Sequence, residues 1–186
     1  MEANVAACAA RDIPILRRCS GGGTVLQGPN CLNYSLIHPI AEGESLTGII
    51  ATNQFVMRGN ARALSRALST PVEVQGHSDL TIAGRKFSGN AQRRKRNYFL
   101  FHGTFLLGFD LELIAEVLRQ PPVQPEYRGQ RAHEDFVMNL DISANEIKDA
   151  LVLEWGVAGV LKAAPQERMT QLITEKYARD EWNQRF

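Results

Sequence analysis

Two glycine-punctuated stretches constrain this chain most. One is Gly84-Arg85-Lys86-Phe87-Ser88-Gly89-Asn90-Ala91-Gln92, a lysine held between two glycines; the other is the upstream run Arg17-Arg18-Cys19-Ser20-Gly21-Gly22-Gly23-Thr24. Three glycines in a row break regular structure, so the upstream run reads as a turn between two strands, Ile13 to Arg18 and Thr24 to Leu26. Each stretch alone is an ordinary turn. Together they suggest one activated-acyl site, because glycines let backbone amides approach a phosphate or carbonyl and an ammonium beside them neutralises developing charge.

The apolar pattern supplies the frame around them. Asn4 to Arg11 reads as a short helix, and Gly28-Pro29-Asn30 as a turn before a strand from Asn33 to Ile37. Ile50, Met57, Ala61, Leu64 and Leu68 recur at helical spacing, which predicts a helix over Leu46 to Leu68 despite Gly59. Strands follow at Val72 and Val74, Leu80 and Ile82, Lys86 to Gln92, and Tyr98 to Leu107, with a basic bend from Arg93 to Asn97. Helices are expected at Leu111 to Leu118, from a Ser143 cap with Glu146 completing a capping box to about Trp155, and at Met169 to Tyr177. The expected fold class is α+β, one domain over residues 1–186 with a largely antiparallel sheet and helices packed outside it.

Composition bounds the function. The 186 residues include 44% of AVILMFWYC, enough for one sizeable core. The 21 Lys and Arg against 20 Asp and Glu leave a net charge of +1, which gives no global case for nucleic acid. Cys8, Cys19 and Cys31 are odd in number and form no C-x-x-C pair, so a reducing, cytoplasmic setting is expected. No stretch approaches the ~18 apolar residues of a membrane span, and no membrane partner is expected.

Taken singly, the candidate residues have bland readings as well. Lys86 alone is a solvated hairpin lysine, but Ser88, Asn90 and Gln92 alternate beside it as a polar strand face that lines a pocket or faces water. Arg18 and Ser20 share one side of the expected first strand and could aim at an anion. Arg93-Arg94-Lys95-Arg96 lacks interleaved aromatics, so it reads as a solvated hairpin tip and a docking surface for an acidic partner. His102 lies within an apolar strand, and no His shows metal-ligand spacing. Asp79 at a strand start could bind magnesium or only begin the strand.

Arg17 to Thr24, Cys31-Leu32-Asn33-Tyr34-Ser35, Ser78-Asp79-Leu80, Gly84 to Gln92 and His102-Gly103-Thr104-Phe105-Leu106-Leu107 together resemble the lipoate-protein ligase family, within the biotin and lipoate ligase and octanoyltransferase superfamily. Pro125-Glu126-Tyr127-Arg128, Glu175-Lys176-Tyr177 and Glu181-Trp182 add to the likeness. Family members usually carry further early strands and a pocket loop ahead of the first glycine motif, so the resemblance implies a catalytic domain that is short at its N-terminus. It also implies no accessory C-terminal domain.

The resemblance implies a ligase that activates lipoate with ATP and Mg2+ to lipoyl-adenylate, then passes the lipoyl group to a lysine of an acidic lipoyl acceptor domain. Acyltransferase subunits of 2-oxoacid dehydrogenases and the glycine cleavage H protein are such acceptors. By motif, Lys86 would meet the acyl carbonyl and the α-phosphate, while Arg18, Ser20, Gly21, Gly22, Gly23 and Thr24 would line the acyl-adenylate channel. Asn33, Ser88, Gly89, Asn90, Ala91, Arg93, His102, Gly103 and Thr104 would shape the pocket, with Ser78 and Asp79 near the nucleotide and Asp79 near magnesium. Two alternatives stay open: an octanoyl or lipoyl transferase using a carrier protein and no ATP, and a non-enzymatic binding protein of the same pathway. In the transferases most similar to this pattern a cysteine precedes the lysine motif, where this chain reads Val74-Gln75-Gly76-His77-Ser78 without a thiol.

Overall fold

The computed structural model describes residues 2–40, 46, 48–121 and 123–185. Its frame is a five-stranded antiparallel sheet in the order β1-β5-β4-β3-β2, built from β1 (Cys31–Pro39), β2 (Glu73–Gln75), β3 (Asp79–Ile82), β4 (Arg85–Arg94) and β5 (Tyr98–Leu106). The α+β reading is therefore correct.

β5 shows why the sheet has two different faces. Phe99, Phe101 and Phe105 are fully buried on one face, while Leu100, His102, Thr104 and Leu106 alternate with them on the other. Onto the phenylalanine face pack α2 (Ile49–Leu68), through Val56, Met57 and Leu64, and α5 (Ala144–Glu154), through Ile147. Burying each of these side chains contributes about 1.5–3 kcal/mol. The Ser143–Glu146 capping box starts α5 as expected. Gly59 has a packing reason: a Cβ there would lie 2.7 Å from the Trp155 indole, so its absence lets α5 close on α2.

α1 (Val5–Ala10) is capped by Asn4 and α3 (Leu111–Val117) by Asp110. A 3-10 turn, Glu126–Arg128, and the short α4 (His133–Phe136) follow the Pro-rich loop. The expected last helix begins three residues early as α6 (Gln166–Leu172), continues as a π-helical turn at Ile173–Tyr177, and is followed by α7 (Asp180–Asn183). No helix among the described residues is long and apolar enough to cross a membrane.

Three expectations need correction. Ile13 to Arg18 and Thr24 to Leu26 are not strands; residues 13–27 run as an irregular strap across the sheet, because their glycines and Pro14 offer no continuous ladder. This strap is tied at the C-terminal end, where Trp182 Nε1 donates to Arg17 O at 2.8 Å and Arg17 N donates to Asn183 Oδ1 at 2.9 Å. The basic bend is also shorter than expected, since β4 continues through Arg94. Arg94 donates to Leu46 O at 2.6 Å and Thr52 Oγ1 at 2.9 Å, so it holds the start of α2 and is not a docking residue.

The third correction concerns direction. Ser88, Asn90 and Gln92 do alternate, but they pair with Phe105, Gly103 and Phe101 and so turn toward the helices. Gln92 Nε2 donates to Ile49 O at 2.9 Å, beneath the first turn of α2. The side chains of this row form a polar seam under α2 and not a solvated face.

Candidate active site

A slip in register places the lysine. Leu80 pairs with Ser88 while Thr81 pairs with Lys86, so Phe87 is an extra residue on β4. In a regular strand Lys86 and Ser88 would share a face. The bulge instead lets Phe87 and Ser88 enter the core, at 0% and 1% exposure, and turns Lys86 to the opposite face. The backbone of Lys86 is fixed from outside the sheet, because Met138 N donates to Lys86 O at 2.8 Å.

On that opposite face lies a cavity of about 490 Å³. Its floor comes from β4 and β5, one wall from the strap and the other from α3, the Pro-rich loop and α4. Of the residues expected at a site, Arg18, Gly22, Gly23, Thr24, Ser78, Asp79, Lys86, Ser88, Gly89, Asn90, Ala91, His102, Gly103 and Thr104 border it. Ser20, Gly21, Asn33 and Arg93 stand one layer behind. Ser20 Oγ is 2.6 Å from His102 Nε2, Gly21 O accepts from Arg18 Nη2 at 2.9 Å, and Arg93 Nη1 donates to Cys19 O at 3.2 Å. Thr104 donates to Asn33 Oδ1 at 2.6 Å and accepts from Gln27 Nε2 at 3.0 Å, which closes a polar ring between strap and sheet.

Lys86 Nζ sits 2.7 Å from Asp79 Oδ1, and the other carboxylate oxygen accepts from Tyr127 Oη at 2.7 Å. The ammonium keeps further donors for a ligand. Gly89 makes room for it, since a Cβ there would lie 3.2 Å from Nζ. Burial and the Asp79 charge push the Tyr127 phenol up, so it remains a donor. His102 is held below the usual imidazole range, first by burial and then by Arg18, so it is neutral near pH 7.

Two expected ligands are otherwise engaged. Arg18 curls over its own loop, donating to Gly21 O and to Gly23 O at 2.8 Å, and so shapes the glycine turn instead of projecting freely. The Asn90 amide accepts from Tyr34 Oη at 2.6 Å and donates to Ser78 O at 2.8 Å and Ser88 Oγ at 3.2 Å, which uses its hydrogen-bonding capacity within the protein.

Magnesium does not fit the protein groups as they stand. Both Asp79 oxygens are already partnered, and among the described residues no group of three His, Cys, Asp or Glu converges on one point. A divalent ion bound through a single carboxylate would have to displace Lys86 or Tyr127.

Sequence reasoning missed Glu2, Gln27 and Arg119, which approach from irregular segments, Arg128, His133 and Phe136, which approach from short helical turns, and Tyr127, which meets Asp79. Glu2 is informative, because its carboxylate accepts from Thr24 N at the glycine turn. A carboxylate there shows that this amide takes an anionic oxygen. An AMP phosphate at this amide would compete with Glu2, so Glu2→Ala is expected to strengthen AMP binding roughly five- to tenfold, measured by titration calorimetry; unchanged affinity would separate the amide from any ligand path.

A sheet with one helix-covered face and, on the other, a cavity that presents a lysine and a glycine turn suits acyl activation or acyl transfer. The chain belongs to the lipoyl protein ligase A/B catalytic domain family, whose model matches residues 1–155. It is similar to lipoate-protein ligase 1 of Staphylococcus aureus, with 27% identity over 78% of this chain and 42% of the relative. It is also similar to octanoyltransferase LipM of Carboxydothermus hydrogenoformans, with 25% identity over 100% of this chain and 79% of the relative. The chain thus spans less than half of the first relative's length. A solved structure of a bi-partite lipoate protein ligase from Thermoplasma acidophilum, studied with its E2 lipoyl domain, shares the fold at a TM-score of 0.81 with 22% identity, covering 98% of this chain and 74% of that one.

Proposed function

We propose that residues 1–186 act as one catalytic unit that activates lipoate with ATP and passes the lipoyl group to a lysine amine of an acceptor domain. The reading rests on the lining of the cavity: Lys86 presents its ammonium there, and no cysteine lines it among the described residues. Cys31 packs in the apolar cluster behind the cavity lining, with Phe109 and Ile114, where burial pushes its thiol up and away from the reactive thiolate.

In the first step a carboxylate oxygen of lipoate bonds to the α-phosphorus while the bond to pyrophosphate breaks. In the second the acceptor amine bonds to the acyl carbon, the bond to the AMP oxygen breaks, and the amine loses its proton to solvent. Both steps build negative charge on oxygens that the Lys86 ammonium would neutralise in place. The apolar lining from Val25, Leu26, Ile114 and Leu118 suits the lipoyl tail. Lys95 and Arg96, exposed beyond β4, suit an acidic lipoyl domain such as those of 2-oxoacid dehydrogenases or the H protein, in a cytoplasmic setting.

The transferase reading is favoured by one observation, the relative LipM that aligns along the whole chain. Intact mass of a lipoyl domain distinguishes the two. Incubation with this protein, lipoate, ATP and magnesium should add one lipoyl group, and octanoyl carrier protein without ATP should add none. The reverse pattern would replace the ligase with the transferase.

A further inference from the structure

Among the described residues, one buried cation in the cavity wall has no carboxylate partner. Arg128 ends the 3-10 turn and is 4% exposed. Its Nε donates to Arg131 O at 3.0 Å and its guanidinium lies 4.7 Å over the Phe136 ring, but its Nη2 is buried with no acceptor. An unpaired buried donor is costly, and native proteins seldom leave one unless something else completes it.

The surroundings say what would complete it. Lys86 and His133 line the same cavity. The His133 ring is held below the usual imidazole range by burial and then by the Arg128 and Lys86 charges, which marks positive potential at this end. Arg131 adds a further cation, 5.3 Å from the Phe136 ring. The acids in the lining are Glu2, at the glycine turn, and Asp79, already held by Lys86 and Tyr127. Positive charge therefore exceeds negative here, and the planar fork of a guanidinium matches two phosphate oxygens at once.

We propose that Arg128, with His133 and Lys86, forms a phosphoanion subsite, which within the ligase reading above holds the part of the nucleotide that leaves as pyrophosphate. An ATP-independent transferase would have no use for it. Arg128 acts here as a binding residue, and Phe136 holds its plane by stacking.

Inorganic pyrophosphate is the probe, titrated calorimetrically into the full chain. Wild type should bind it, and Arg128→Met, which keeps an unbranched stem on Phe136, should bind at least tenfold more weakly while its circular dichroism is unchanged. Should Arg128→Met fail to fold, Arg128→Lys carries the test and should still lose severalfold, because it keeps the charge without the fork. No binding by wild type, or equal binding by the folded variant, overturns the subsite. Pyrophosphate binding that depends on Arg128 in a protein that never lipoylates with ATP keeps the subsite and overturns the ligase reading. ATP-dependent lipoylation with pyrophosphate affinity indifferent to Arg128 does the opposite.

Discussion

Lys86→Ala should lower acyl transfer by about 10²–10³-fold, an effect of roughly 3–4 kcal/mol, because it removes a cation fixed where negative charge develops. The substitution also has a structural consequence. Lys86 and Asp79 are only 26% and 14% exposed on their side chains, so deleting the lysine leaves a largely buried carboxylate with Tyr127 as its one remaining partner among the described residues. The single variant should therefore melt lower as well. Lys86→Ala combined with Asp79→Asn removes the orphaned charge and should recover most of the melting temperature while remaining inactive. That split between stability and turnover is what a reacting-centre role requires. Activity near the wild-type rate in either variant would remove Lys86 from the mechanism.

The residues around Lys86 also show how far a sequence can be read. The alternation in β5, the long apolar face of α2 and the capping box of α5 are local signals, and the five strands are all among the seven expected. The glycine turns at Gly22 and Gly84 were legible for the same reason, since both sit at positive φ. What failed was the face of a strand. A regular period of two places Lys86, Ser88 and Asn90 together, and the one extra residue at Phe87 separates them. No residue type announces a bulge, because it arises from pairing with a distant strand.

The strap misled in a related way. Residues 13–18 have strand-like composition, yet no neighbouring edge pairs with them, and side-chain bonds from Trp182 and Asn183, more than a hundred residues away, hold them instead. Tyr127, Arg128 and His133 sit on turns too short for any periodicity to mark. The only signal for Tyr127 and Arg128 was the resemblance carried by Pro125-Glu126-Tyr127-Arg128, and His133 had none. Arg94 belonged to a run of four basic residues that looked uniform, and only tertiary context separates it as a helix anchor from the exposed Lys95 and Arg96.

Gly103→Ala should destabilise the fold by about 3–4 kcal/mol, although it adds one methyl group to a strand. Gly103 pairs with both Tyr34 and Asn90 across the sheet, and a Cβ would run into the Asn90 amide and lie 2.8 Å from Tyr34 Cε1. Those two side chains are links in one directed series of hydrogen bonds. Trp155 Nε1 donates to Asn60 Oδ1 at 2.9 Å, Asn60 Nδ2 to Tyr34 Oη at 2.7 Å, Tyr34 Oη to Asn90 Oδ1 at 2.6 Å, and Asn90 Nδ2 to Ser78 O. Asn60 is fully buried, so displacing Asn90 leaves donors and acceptors that water cannot repair. Ordinarily Gly→Ala in compatible backbone is neutral or stabilising by about 0.4–1 kcal/mol, and Gly21→Ala, with nothing within 4 Å of its Cβ position, serves as that control. Thermal unfolding should place Gly103→Ala roughly 10 °C below wild type for a chain of this size, with Gly21→Ala close to it. A Gly103→Ala variant that melts with the control would mean that Asn90 and Tyr34 can move aside freely, and that this series of bonds does not hold the Ser78 end of the site in place.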